Sequence, residues 1–167
     1  SGGDYNRIYA LDGQLGIGTA INFSGLVART DTPGRDYRDH MFNVEGHYAL
    51  RSLRLDGGYR QVGEAFNPEV GFMQRPAGYR NANAMWMVYF RPESFLGVRE
   101  FRPHMRYNTT RNLETGFEES SELHIDSHIE WHSGMFFSPA LNLVSEGLEE
   151  PFPFHEGITV PPGTYDG

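Results

Sequence analysis

The 167-residue chain has no cysteine and no lysine; all 14 of its basic residues are arginine. Without cysteine there can be no disulfide framework, no thiolate nucleophile and no Cys-based zinc or iron–sulfur site. The arginines face 22 acidic residues, giving a net charge of −8. An acidic chain without a basic cluster is not expected to bind nucleic acid. No run of 18 apolar residues exists, which excludes a membrane-spanning helix. No charged stretch leading into an apolar one opens the chain, so no signal peptide is expected. Apolar residues at i, i+3, i+4 and i+7 never persist for three turns, so helices are not expected either.

What is present points to strands. Twenty glycines, ten prolines and 14% aromatics suit many strands joined by turns. Apolar and polar residues alternate over 41–50, 52–60, 81–90, 101–108 and 118–132. Further strands are expected near 5–14, 19–30 and 135–145. Alternation follows from geometry: successive side chains of a strand point to opposite faces, so a strand between two different solvents must alternate. Turn-forming residues separate these runs at Thr30–Asp36, Pro92–Gly97, Asn112–Gly116 and His132–Gly134. The fold class expected is all-β. It is an antiparallel meander of about eight strands in one domain, either a transmembrane barrel or a segment of one.

Alternation alone does not say which solvent meets the apolar side. Three features favour lipid there. The longest runs have about nine or more positions, the length needed to cross a bilayer at a tilt. Aromatics gather near strand ends, as in interfacial girdles. The polar sides carry both signs of charge, as a barrel lumen does. The lipid-facing set expected is Phe42, Val44, Tyr48, Trp86, Val88, Phe90, Leu123, Ile125, Ile129 and Trp131. The lumen-facing set is Glu45, His47, Arg54, Arg60, Arg102, Arg106, His124, Asp126, His128 and Glu130. In a soluble barrel or sandwich the first set would be the core, and the protein would bind a small ligand or glycan.

Chemistry-bearing patterns are few. His124, Asp126, His128, Glu130 and His132 alternate along one run and so share a face. Same-face neighbours on a strand lie about 7 Å apart. Residues at i and i+2 can therefore share an ion, with help from a neighbouring strand, whereas His124 and His128 are too far apart unless the strand bulges. These five are the metal candidates; the competing reading is a hydrated lumen face. Glu118, Glu122, Asp126 and Glu130 form an acidic row. A hydrolase would need two of them, from Glu122, Asp126 and Glu130, at a defined separation across a cleft. The ordinary reading is charge pairing with Arg102, Arg106 and Arg111. No Gly-x-Ser-x-Gly elbow occurs, and Gly13-x-x-Gly16-x-Gly18 opens no helix, so no catalytic residue and no cofactor is expected.

Two stretches carry a family likeness. They are Gly63–Phe72 (GEAFNPEVGF) and Glu146–Phe152 (EGLEEPF) with Gly157–Tyr165 (GITVPPGTY). With Asn6–Tyr9 and Thr32–Gly34, they resemble the C-terminal region of the DUF5916 family of bacterial outer-membrane proteins. The resemblance implies an outer-membrane location in a Gram-negative bacterium, membrane lipid as a partner, and a segment of a longer barrel. It also implies a family-9-like carbohydrate-binding module upstream, outside this chain, so any sugar contact would belong to that module. Read physically, Asn67-Pro68 fixes a turn, and Gly63 and Gly71 permit backbone geometry other residues resist. Pro161-Pro162-Gly163 is a rigid approach that places Tyr165 at the start of a strand expected to lie past Gly167.

Overall fold

Nearly every alternating run is a strand in the computed structural model, which describes residues 5–35, 37–69, 75 and 77–167. Eight long strands are β1 (Arg7–Ile17), β2 (Ile21–Asp31), β3 (His40–Ala49), β4 (Leu53–Val62), β5 (Tyr79–Val88), β6 (Val98–Asn112), β7 (Glu118–Trp131) and β9 (Ala140–Leu148). Four short ones are β8 (Phe136–Phe137), β10 (Phe152–His155), β11 (Ile158–Val160) and β12 (Gly163–Asp166). Among the described residues there is no helix, and so none long and apolar enough to cross a membrane.

Each long strand pairs antiparallel with its sequence neighbour. The order is β1-β2-β3-β4-β5-β6-β7-β9-β12, with β8 alongside β7. The all-β antiparallel meander is thus the observed architecture. No ladder among the described residues joins β1 to β9 or β12, so the sheet is open. The hairpin β10–β11 forms a separate two-stranded ribbon. One expectation is corrected here. The strand approached by Pro161-Pro162 is β12; it begins at Gly163 and pairs Tyr165 with Glu146 of β9, within the chain. The double proline cannot supply ladder donors, and the strand starts as soon as it is passed.

The turns differ by rim. Three-residue links join β1 to β2 and β3 to β4, whereas residues 63–78 join β4 to β5 at the opposite rim. The first residues of that link fold back over the sheet. Phe66 packs with Ala28 and Val62 into a small buried core, with Met41, Ala77 and Tyr79 against it. Three contacts at its start hold it down. Gly63 N–H donates to His40 O at 2.9 Å, Ala65 N–H to Arg38 O at 3.3 Å, and the Arg38 guanidinium binds Glu64 at 2.6 Å. That last bond raises the Arg38 pKa above its ordinary value. A Cβ on Gly63 would sit 1.8 Å from the Arg38 carbonyl oxygen. Close backbone approach, rather than a left-handed φ, is therefore what demands glycine there. Gly147 is alike: a Cβ would meet the Glu118 carbonyl at 2.1 Å. The Asn67-Pro68 turn is pinned by Asn67 N–H to the fully buried Thr30 hydroxyl at 3.1 Å. Asn6 Nδ2 adds a bond to Asn67 O at 2.8 Å. Val70, Gly71 and Phe72 of the same motif lie outside the described residues.

Candidate functional site

The ladders sort the sheet into two faces, because directly opposed residues share a side. One row runs Ile21–Tyr48–Leu55–Trp86–Met105–Ile125–Leu141 through six strand pairs. The next runs Phe23–Gly46–Gly57–Ala84–Tyr107–Leu123–Leu143. Phe42, Val44, Tyr48, Trp86, Val88, Phe90, Leu123, Ile125, Ile129 and Trp131 all belong to this apolar face. Phe90 reaches it through a bridge to Phe101, which pairs with Ile129. Near one rim, Phe90, Phe95, Phe101, Ile129 and Trp131 line a wholly apolar groove. Toward the other rim the same face turns polar at Arg29, Gln61, Arg80 and Arg111.

The opposite face holds Glu45, His47, Arg54, Arg60, Arg102, Arg106, His124, Asp126, His128 and Glu130. Its charges are paired across and along strands. His47 and Arg54 both bind Asp56, the latter at 2.8 Å. Arg106 meets Glu122 at 3.6 Å, Arg99 meets Glu130 at 2.5 Å, and Arg91 and Arg102 both engage Glu100. The acidic row thus gives each carboxylate its own cation or imidazole.

The apolar face is uncovered, unlike that of a soluble sheet. Leu11 is 72% exposed, Leu141 54% and Ile125 43%. Between these exposed apolar groups, the His124 and Asp126 side chains are only 17% and 9% exposed. The apolar face meets the surroundings along all eight long strands; on the polar face the histidine cluster is shielded, while the Arg54, Arg106 and Glu122 side chains are 43%, 55% and 40% exposed.

The polar face has one convergent cluster. His104 stands opposite Asp126 in the β6–β7 ladder, between the partners of His124 and His128. Asp126 Oδ2 is 3.9 Å from His104 Nε2, 3.7 Å from His124 Nε2 and 3.1 Å from His128 Nε2. The rings of His124 and His128 each lie just over 5 Å from that of His104, at 5.3 and 5.2 Å. The other side of Asp126 is held by the Ser127 N–H and by the Ser138 hydroxyl at 3.2 Å. β8 and β9 keep one register along β7 across Ser138–Pro139, so alternation sets Ser138 on the polar face beside His128; Ser127 N–H donates to Pro139 O at 3.3 Å.

Of the five metal candidates read from the sequence, the structure brings together His124, Asp126 and His128. Glu130 is held by Arg99, and His132 is exposed in the turn after β7. His104 is the residue that reading one strand at a time misses. The hairpin supplies the signal: folded about Thr115, it places residues equally distant from that point opposite each other. His104 and Asp126 each stand eleven residues away.

No family model matches the chain, and neither a curated protein nor a solved structure matches it.

Proposed function

We propose that this chain is part of the wall of an outer-membrane β-barrel in a Gram-negative bacterium. In this reading its apolar face lies on lipid and its polar face on an aqueous interior, and the segment itself performs no catalysis. The observation that carries the reading is the exposed apolar face. A soluble antiparallel sheet covers its apolar face, and here that face is the exposed one across eight strands. Strands of nine to fifteen residues reach or exceed the span a tilted transmembrane strand needs. The likeness to the DUF5916 family supports the same reading and links the whole protein to carbohydrate binding through a module outside this chain. The free outer edges of β1 and β12 are satisfied, in this view, by further strands, since an open edge is not tolerated in hydrocarbon.

The absence of cysteine makes the test clean. Single-cysteine variants Val44→Cys and Ile125→Cys on one face, and Glu45→Cys and Glu122→Cys on the other, are labelled with an environment-sensitive fluorophore in lipid vesicles. Quenching by brominated lipid at the first pair and by aqueous iodide at the second is expected. Iodide quenching of both faces alike, or a monomeric cooperative fold in plain buffer, would overturn the proposal. Placing arginine at Ile125 should cost about 2–4 kcal/mol if the site is near mid-bilayer, read from the denaturant midpoint of the vesicle-inserted chain.

A further inference from the structure

We infer that His104, His124 and Asp126 form a binding site for a divalent transition-metal ion, of the Zn²⁺, Co²⁺ or Ni²⁺ type, on the polar face of the sheet. One donor atom from each, two imidazole nitrogens and a carboxylate oxygen, lies within 4.8 Å of the others. An ion bound at about 2.0–2.1 Å to each would hold its donors roughly 3.3 Å apart in a tetrahedral shell. The two Nε2–Oδ2 separations of 3.9 and 3.7 Å therefore close by a few tenths of an ångström, which side-chain rotation supplies. Imidazole with carboxylate is the donor set for borderline divalent ions rather than for Mg²⁺ or Ca²⁺, which take oxygen.

The groups behind the donors are arranged as a metal needs them. Asn142 Oδ1 accepts from His124 Nδ1–H at 2.6 Å, so the lone pair of the neutral ring sits on Nε2 and faces Asp126. Such a hydrogen bond fixes the tautomer and orientation of a ligating imidazole. Ser127 N–H donates to Asp126 Oδ1, the Ser138 hydroxyl spans Oδ1 at 3.2 Å and Oδ2 at 3.4 Å, and Oδ2 faces the histidines. His128 donates Nε2–H to Oδ2 at 3.1 Å, its ring held edge-on by Phe136 at 5.5 Å. His128, Ser138 and Asn142 are thus positioning residues. Three protein donors leave at least one coordination position for water or a solute on the polar side. The side chains of His104 and Asp126, 12% and 9% exposed, shield the ion from competing solvent. The inference rests on this geometry alone and stands apart from the membrane reading.

The test is Co²⁺ titration of the tag-free full chain, in micelles or plain buffer, whichever keeps its sheet. The expected result is one Co²⁺ per chain with visible ligand-field bands, displaced by Zn²⁺. Binding should weaken as pH falls, because protons compete for imidazole nitrogen. His104→Gln, His124→Gln and Asp126→Asn should each lower affinity at least about 100-fold, and Asn142→Ala about 10-fold. His132→Gln should change nothing. Far-UV circular dichroism checks that each variant keeps its sheet. If Asp126→Asn does not, the two histidine variants, on separate strands, carry the test. No stoichiometric uptake, or uptake unaffected by His104→Gln, would overturn the proposal and leave the cluster as a proton-sharing network. Failure of the fluorophore experiment with normal Co²⁺ binding would remove the membrane reading only.

Discussion

Two regions of the same polar face are built on opposite plans. Under loop 63–78, Ala28, Val62 and Phe66 make a small apolar core, and the polar groups within it, such as Thr30, are fully hydrogen-bonded to backbone. Further along the same strands the face is ionic, with carboxylates, arginines and imidazoles within reach of solvent. The contrast teaches that strand alternation decides only which side a residue faces. Whether that side becomes closed core or reactive surface depends on what lies over it. The loop supplies Phe66 at one end; at the other, only neighbouring strands meet the histidines.

Substitutions that separate the two regions follow in order of expected effect. Gly63→Val forces a side chain against the Arg38 carbonyl. It should cost more than about 4 kcal/mol, the range of a forced backbone displacement, seen as a collapse of the denaturant midpoint. Phe66→Ala removes the centre of the capped core and should cost about 3 kcal/mol, measured the same way, with Co²⁺ uptake unchanged. Thr30→Val leaves the Asn67 N–H without its acceptor and should cost about 1–3 kcal/mol. Faster proteolysis within residues 63–78 is the second readout. Asp126→Asn keeps acceptors for Ser127 and Ser138 and should shift stability by no more than roughly 1 kcal/mol, while abolishing Co²⁺ uptake. A cap variant that also lost Co²⁺ uptake would show that the two regions are coupled; a large stability loss in Asp126→Asn would blur the distinction from the other side.

Much of this was legible in the sequence, for a definite reason. Side-chain period 2 survives every change of partner, so the membership of each face could be read strand by strand, and the register puts Val44 with Ile125 and Glu45 with His47 as the alternation requires. Less legible were features that depend on two segments meeting. Gly63 reads as a flexible residue until Arg38 is seen against it. Phe66, one aromatic in a turn-rich stretch, gives no sign that its loop folds inward. The break at Ser138–Pro139 hides inside an expected single strand near 135–145, although the register carries through it and brings Ser138 to Asp126. His104 reads as one more polar position, and only the hairpin pairing makes it the partner of Asp126.

Because every long strand pairs with its chain neighbour, β6, β7 and β9 are consecutive in order along the sheet. All three donors and all three positioning residues of the histidine cluster therefore fall within the thirty-nine positions from His104 to Asn142. Closing loops this short carries little entropic cost compared with joining distant strands. The cluster is complete once that one three-stranded segment has folded, independent of how the remaining strands find their neighbours. An ion held there would act as a local clasp on two successive hairpins, available from the first stages of sheet assembly.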